Sequence, residues 1–154
     1  LATSESGNAR FAIELLWRAG KYADAQDADS VEPECVRRAA SSITPSVRRS
    51  ELTSFSLHEK LFLLAVARFF KNSEAAFASL AEIEQAYAVV CEEYNEQPNS
   101  HTQLWKYVQY FTSLGILKAE VAAVATRGRS MRIALPSIPA VELEKELCSL
   151  LEKE

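Results

Sequence analysis

Apolar side chains recur at helical spacing along most of the chain, with one change of period just after Gly115. Near the start, Ala9, Ala12, Ile13, Leu16 and Trp17 form a stripe that predicts a helix from about Gly7 to Asp27, its later part weakened by Gly20. The polar run Asp27-Ala28-Asp29-Ser30 breaks it. Glu32-Pro33 opens a second helix, since a first-turn proline gives up an amide that has no helical partner anyway. Val36, Ala39, Ala40 and Ile43 mark its buried side. Thr44-Pro45-Ser46 is a bend, and Val47–Thr53 is a short helix or a linker. A domain boundary is expected at Thr53–Phe55, dividing the chain into 1–54 and 55–154.

Three punctuated helices follow. Ser56-Leu57-His58-Glu59 fits a capping box, in which the serine hydroxyl takes an amide of the first turn and the glutamate reaches back. The helix it opens, to about Asn72, is apolar on nearly every side from Leu61 to Phe70, which predicts the central helix of the second domain. Ser79-Leu80-Ala81-Glu82 is a second box, with Leu80, Ile83, Tyr87, Val90, Cys91 and Tyr94 as the stripe behind it. Ser100-His101-Thr102-Gln103 is a third, with Leu104, Tyr107, Val108, Phe111 and Leu114 beneath. Gly115 falls where a left-handed C-cap is expected. Ile116–Ala125 and Met131–Leu135 then read as strands joined by the basic turn Thr126-Arg127-Gly128-Arg129-Ser130. Pro136 and Pro139 end that hairpin, and Leu143, Leu147, Leu150 and Leu151 predict a last helix over about Val141–Leu151. No internal repeat is present.

A mainly α fold is therefore expected, and composition agrees. The 154 residues are 48% hydrophobic and 25% charged, with four glycines, which excludes a disordered or collagen-like chain. The longest apolar run, Leu61–Ala67, is too short for a membrane span. Cys35, Cys91 and Cys148 are scattered and odd in number, which fits reduced thiols inside a cell; neither His58 nor His101 lies near them in a metal-ligand spacing. The opening residues have no basic start and no apolar stretch, so no signal peptide is read there. Leu1 in place of an initiator methionine suggests a piece of a longer chain.

Charge changes the picture. The net −4 hides a basic segment: residues 99–138 carry Lys106, Lys118, Arg127, Arg129 and Arg132 against Glu120 alone, whereas residues 56–98 hold three basic and seven acidic side chains. Three helices followed by a hairpin is the order of a winged-helix domain, whose third helix can enter a DNA major groove while the hairpin reaches the adjacent backbone or minor groove. Thr102, Lys106, Gln109 and Ser113, spaced 4, 3, 4, share the side of the third helix opposite its apolar stripe. Lys106, Arg127, Arg129 and Arg132 are candidates for phosphate, with Gly128 at the hairpin tip. Ser100, His101, Thr102, Gln103 and Gln109 are candidates for the backbone or base edges. Four phosphate contacts would give a slope of log affinity against log salt of about −3.6. Trp105 reads as packed against the last helix or as an exposed wedge; Tyr107 and Phe111 read as core. Two alternatives use the same fold: a protein-interaction module docking through Trp105 and Tyr110, or a small dimeric transcription regulator.

The residues also carry a resemblance. Gly7-Asn8-Ala9-Arg10-Phe11-Ala12, Ser30-Val31-Glu32-Pro33-Glu34-Cys35-Val36-Arg37-Arg38-Ala39, Leu57-His58-Glu59-Lys60-Leu61 and Leu114-Gly115-Ile116-Leu117, in that order, resemble the archaeal origin-recognition and cell-division-control type of AAA+ replication initiator. The resemblance spans essentially the whole chain. It implies the C-terminal part of such a protein: an AAA+ helical lid, then a winged-helix (helix-turn-helix with β-hairpin wing) domain. It further implies that Arg10 is the sensor-2 arginine, approaching the γ-phosphate of ATP in the intact protein. The family usually has Gly-Asp-x-Arg there, where this chain has Asn8. Relatives often carry arginines near the start of the recognition helix, where this chain has Thr102 and Gln103, which argues against strong sequence-specific affinity. Weak binding by this piece alone is expected, because the ATPase core's share of the contacts is missing. The phosphate loop Gly-x-x-x-x-Gly-Lys-Ser/Thr does not occur in these residues, so no cofactor and no enzymatic activity are expected of them; ATP or ADP with Mg is implied for the intact protein. The resemblance implies double-stranded origin DNA as partner, with the replicative helicase and paralogous initiators beside it, in the cytoplasm at the nucleoid.

Overall fold

A computed structural model describes residues 9–43, 49–123 and 129–153. Two helices come first: α1 (Ala9–Asp24) and α2 (Pro33–Ile43). They pack through Leu15, Ala19 and Ala23 against Cys35, Ala39 and Ala40, small side chains that let the helix axes approach closely, flanked by Phe11 and Tyr22. The bulkier residues of the apolar stripe lie outside this contact. Ile13, Leu16 and Trp17 are 68%, 70% and 59% exposed. Their bulk counts for less than the fit of the alanine face on α2.

The rest forms a second core. It comprises α3 (Arg49–Thr53), α4 (Leu57–Lys71), β1 (Ala78–Ser79), α5 (Leu80–Glu93), α6 (His101–Ser113), β2 (Lys118–Ala123), β3 (Arg129–Ala134) and α7 (Ala140–Leu151). Leu52 of α3 and Phe55 after it join this core, so by packing α3 belongs to the second unit, a few residues ahead of the expected boundary at Thr53–Phe55. Helix α4 is central, with Leu61 to Ala67 wholly buried, because α5, α6 and α7 leave it almost no outer face. No described helix is long and apolar enough to cross a membrane.

The boxes at Ser56 and Ser79 are both closed, with backbone amides donating to Glu59 and Glu82 at 2.8 and 2.7 Å. The third is half closed: the Ser100 hydroxyl accepts from the Gln103 amide at 3.3 Å, with no return bond from the Gln103 side chain. The sheet is antiparallel in the order β1-β3-β2. Strand β1 was not apparent from the sequence; two residues cannot display an alternation, and they become a strand by pairing with Ile133 and Arg132.

Between the units lies a polar joint. Arg37 of α2 is 3% exposed; its Nε donates to the Leu135 carbonyl at 2.8 Å, and its Nη1 to Glu34 at 2.9 Å. Its guanidinium stands 4.8 Å from the centre of the Phe70 ring. The same Glu34 oxygen accepts from the Ala140 amide at 3.2 Å. Pro139 gives the start of α7 no side-chain cap, so a carboxylate from α2 supplies one across the joint.

Candidate nucleic-acid interface

Helix α6 buries Leu104, Tyr107, Val108 and Phe111, and this decides which side faces outward. Thr102, Lys106, Gln109 and Ser113 are all exposed on the opposite side, as their spacing predicts. No carboxylate occurs between His101 and Ser113, and Lys106 makes no ion pair among the described residues. Ser100 is the N-cap, and Gln103 is half-buried beside it. His101 is exposed, and its Nδ1 lies 2.8 Å from Glu84 of α5, so an acid already occupies that side of the first turn.

The inner face of the hairpin stands against one flank of α6. Ala119 pairs with Ile133 and Val121 with Met131, and Ile133 is buried in the core. Between hairpin and helix runs a groove of about 440 Å³, lined in part by Leu80, His101, Trp105, Val121, Ser130 and Met131. Trp105 is 47% exposed at its edge rather than packed under α7. Its position, one residue after inward Leu104, rotates it toward the hairpin. Tyr110 lies on the other flank, edge-on to Phe55 with ring centres 6.1 Å apart, so the two aromatics do not make one patch.

Arg132 takes the other face of the hairpin. Strand alternation with buried Ile133 dictates this. It lies directly across from Glu120 and 5.9 Å from the Phe77 ring, on the sheet face away from the groove. Arg127 and Gly128 lie outside the described residues; Arg129 is described only as backbone, paired with Ala123. In the first turn of α5 the Glu82 carboxyl is held below its usual range, first by the Ser79 amide and then by the Ser79 hydroxyl.

Arg10 is exposed in the first turn of α1. It shares a face with Ile13, Trp17 and Lys21, whose ammonium lies 3.9 Å over the Trp17 ring. Among the described residues no group of His, Cys, Asp and Glu has a metal-binding arrangement.

The helices α4, α5 and α6 followed by an antiparallel hairpin define a winged-helix protein with a helical unit ahead of it. Two family models match: "CDC6, C terminal winged helix domain" at residues 50–144 and "Cdc6 AAA+ ATPase-type lid domain" at residues 1–41. The chain belongs to the Cdc6/ORC1-type family of AAA+ DNA replication proteins. It is 31% identical over 151 residues to "ORC1-type DNA replication protein 2" of Sulfurisphaera tokodaii, covering 97% of this chain and 35% of that protein. The crystal structure of Cdc6p from Pyrobaculum aerophilum is 32% identical with a TM-score of 0.84, over 96% of this chain and 37% of that one. The Aeropyrum pernix ORC1 protein, solved in complex with DNA, shares the fold at 22% identity and a TM-score of 0.58, over 96% of this chain and 37% of that one. The chain thus spans about a third of the length of the proteins it matches.

Proposed function

We propose that α6 and the β2–β3 hairpin dock on double-stranded DNA at a replication origin, as the DNA-holding end of an ATP-dependent initiator. The observation that carries this reading is the outward face of α6: Thr102, Lys106, Gln109 and Ser113, exposed, free of carboxylates and flanked by the hairpin. Lys106 neutralises phosphate, and Thr102, Gln103 and Gln109 reach base edges or backbone from the start of the helix. Arg127 and Arg129 extend the contact along the neighbouring backbone. Arg132, turned to the other sheet face, contributes less than the hairpin tip. The family supports the reading, since its members are replication proteins.

In the intact protein, ATP with Mg would supply a γ-phosphate next to the lid. From this chain Arg10 would be the group that reaches it, and helicase loading and pairing with paralogous initiators belong to the same assembly. The test is a Lys106→Ala substitution assayed by fluorescence anisotropy on a duplex probe. It should weaken binding on every sequence alike and shrink the salt slope by about 0.9. An unchanged slope would remove Lys106, and with it α6, from the interface.

A further inference from the structure

A polar chain crosses the apolar core directly beneath the start of α6. Tyr87 of α5 is fully buried, yet its phenol oxygen lies 2.7 Å from Nδ1 of His58 on α4. That oxygen also accepts the backbone amide of Asn99 at 3.4 Å. The Asn99 side chain in turn donates from Nδ2 to the phenol oxygen of Tyr107 on α6, at 2.9 Å. At the outer end His58 Nε2 faces Glu96 at 3.6 Å, within the same turn as Asn99. Asn99 immediately precedes the N-cap Ser100, so its backbone and its side chain are both tied to tyrosines. Buried polar groups are costly unless satisfied, and a satisfied set admits few alternative packings.

From this geometry we infer that Tyr87, Asn99 and His58 are positioning residues for DNA recognition: they fix the axial position and rotation of the first turn of α6. The inference rests on the reading above that α6 is the DNA-contacting helix. A hydrophobic core alone would let α6 slide or fray at its start, because Leu104 is its first buried side chain. The clamp acts ahead of Leu104, at the turn carrying Thr102 and Gln103.

Tyr87→Phe in the full 154-residue chain keeps the ring and removes the oxygen. Tyr94→Phe, at the C-cap of α5 and outside the clamp, is the comparison. Hydrogen exchange followed by NMR should show the amides of Asn99, Gln103 and Leu104 exchanging about tenfold faster in Tyr87→Phe, with α4 amides such as Leu64 within about twofold of wild type. Affinity for a duplex probe should fall about fivefold. Tyr94→Phe should change neither. Unaltered exchange at Asn99, Gln103 and Leu104, or equal acceleration throughout α4, would overturn the clamp. If wild type itself fails to bind duplex, the proposed function falls, while the exchange arm still decides the clamp. If wild type binds and Tyr87→Phe binds equally well, the positioning role is lost and DNA binding stands.

Discussion

Three helices end on a residue in the left-handed region: Asp27, Asn95 and Gly115, with φ of 52°, 56° and 74°. Each makes both bonds of a Schellman motif. At Gly115 these are Ile116 N–H to the Phe111 carbonyl at 3.0 Å and Gly115 N–H to Thr112 at 3.1 Å. A Cβ on Gly115 would meet nothing within 4 Å, so Gly115→Ala isolates backbone strain and should cost about 1–2 kcal/mol in chemical denaturation. Only Gly115 was legible from sequence, since glycine after a helical stripe has few other uses. Asp27 and Asn95 stand among polar residues that suit caps and turns equally. Two carboxyls carry a pH dependence. Glu82 is held low by Ser79, and Glu93 by hydrogen bonds from Arg68, whose Nη2 lies 3.1 Å away. With folded values below unfolded ones, their stabilisation is complete above the unfolded carboxylate range and is lost as pH falls through the folded values. Thermal unfolding followed from pH 6 downward should therefore show Tm declining below about pH 4.5, and less steeply in a Glu82→Gln, Glu93→Gln variant.

At the scale of elements, α4, α5 and α6 were readable because each has a serine N-cap and a period that leaves one inward face. The hairpin was readable from its change of period. On α1 the apolar spacing announces a helix but not its packed side, which Leu15 and the small residues Ala19 and Ala23 supply. The face of Arg132 is not legible from composition: arginines in one hairpin look like one cluster until the register sets Arg132 across from Glu120, next to buried Ile133. The exposure of Trp105 had a weak signal in its place beside Leu104. With Trp17 changed to Phe, the remaining Trp105 fluorescence should be quenched readily by acrylamide, and duplex DNA should protect it. Equal quenching with and without DNA would place the groove edge away from the duplex.

At the scale of the whole molecule, the lid and the winged helix meet through Arg37, Glu34, the Leu135 carbonyl and the Ala140 amide. Removing one partner strands the others in a poorly hydrated joint. Arg37→Ala should cost about 3 kcal/mol in denaturant unfolding, and more than Glu34→Gln, which keeps an acceptor for Ala140. No periodicity could have shown this joint, because its partners lie about a hundred residues apart and bond largely through backbone atoms.

Everything functional depends on α6 and the hairpin holding a charged duplex. The most direct measurement is the affinity of the 154-residue chain for a duplex probe titrated across salt concentrations. With Lys106, Arg127 and Arg129 on phosphate and Arg132 turned aside, log affinity should fall against log salt with a slope of about −2.7. A slope near zero, or binding absent even at low salt, would contradict the account.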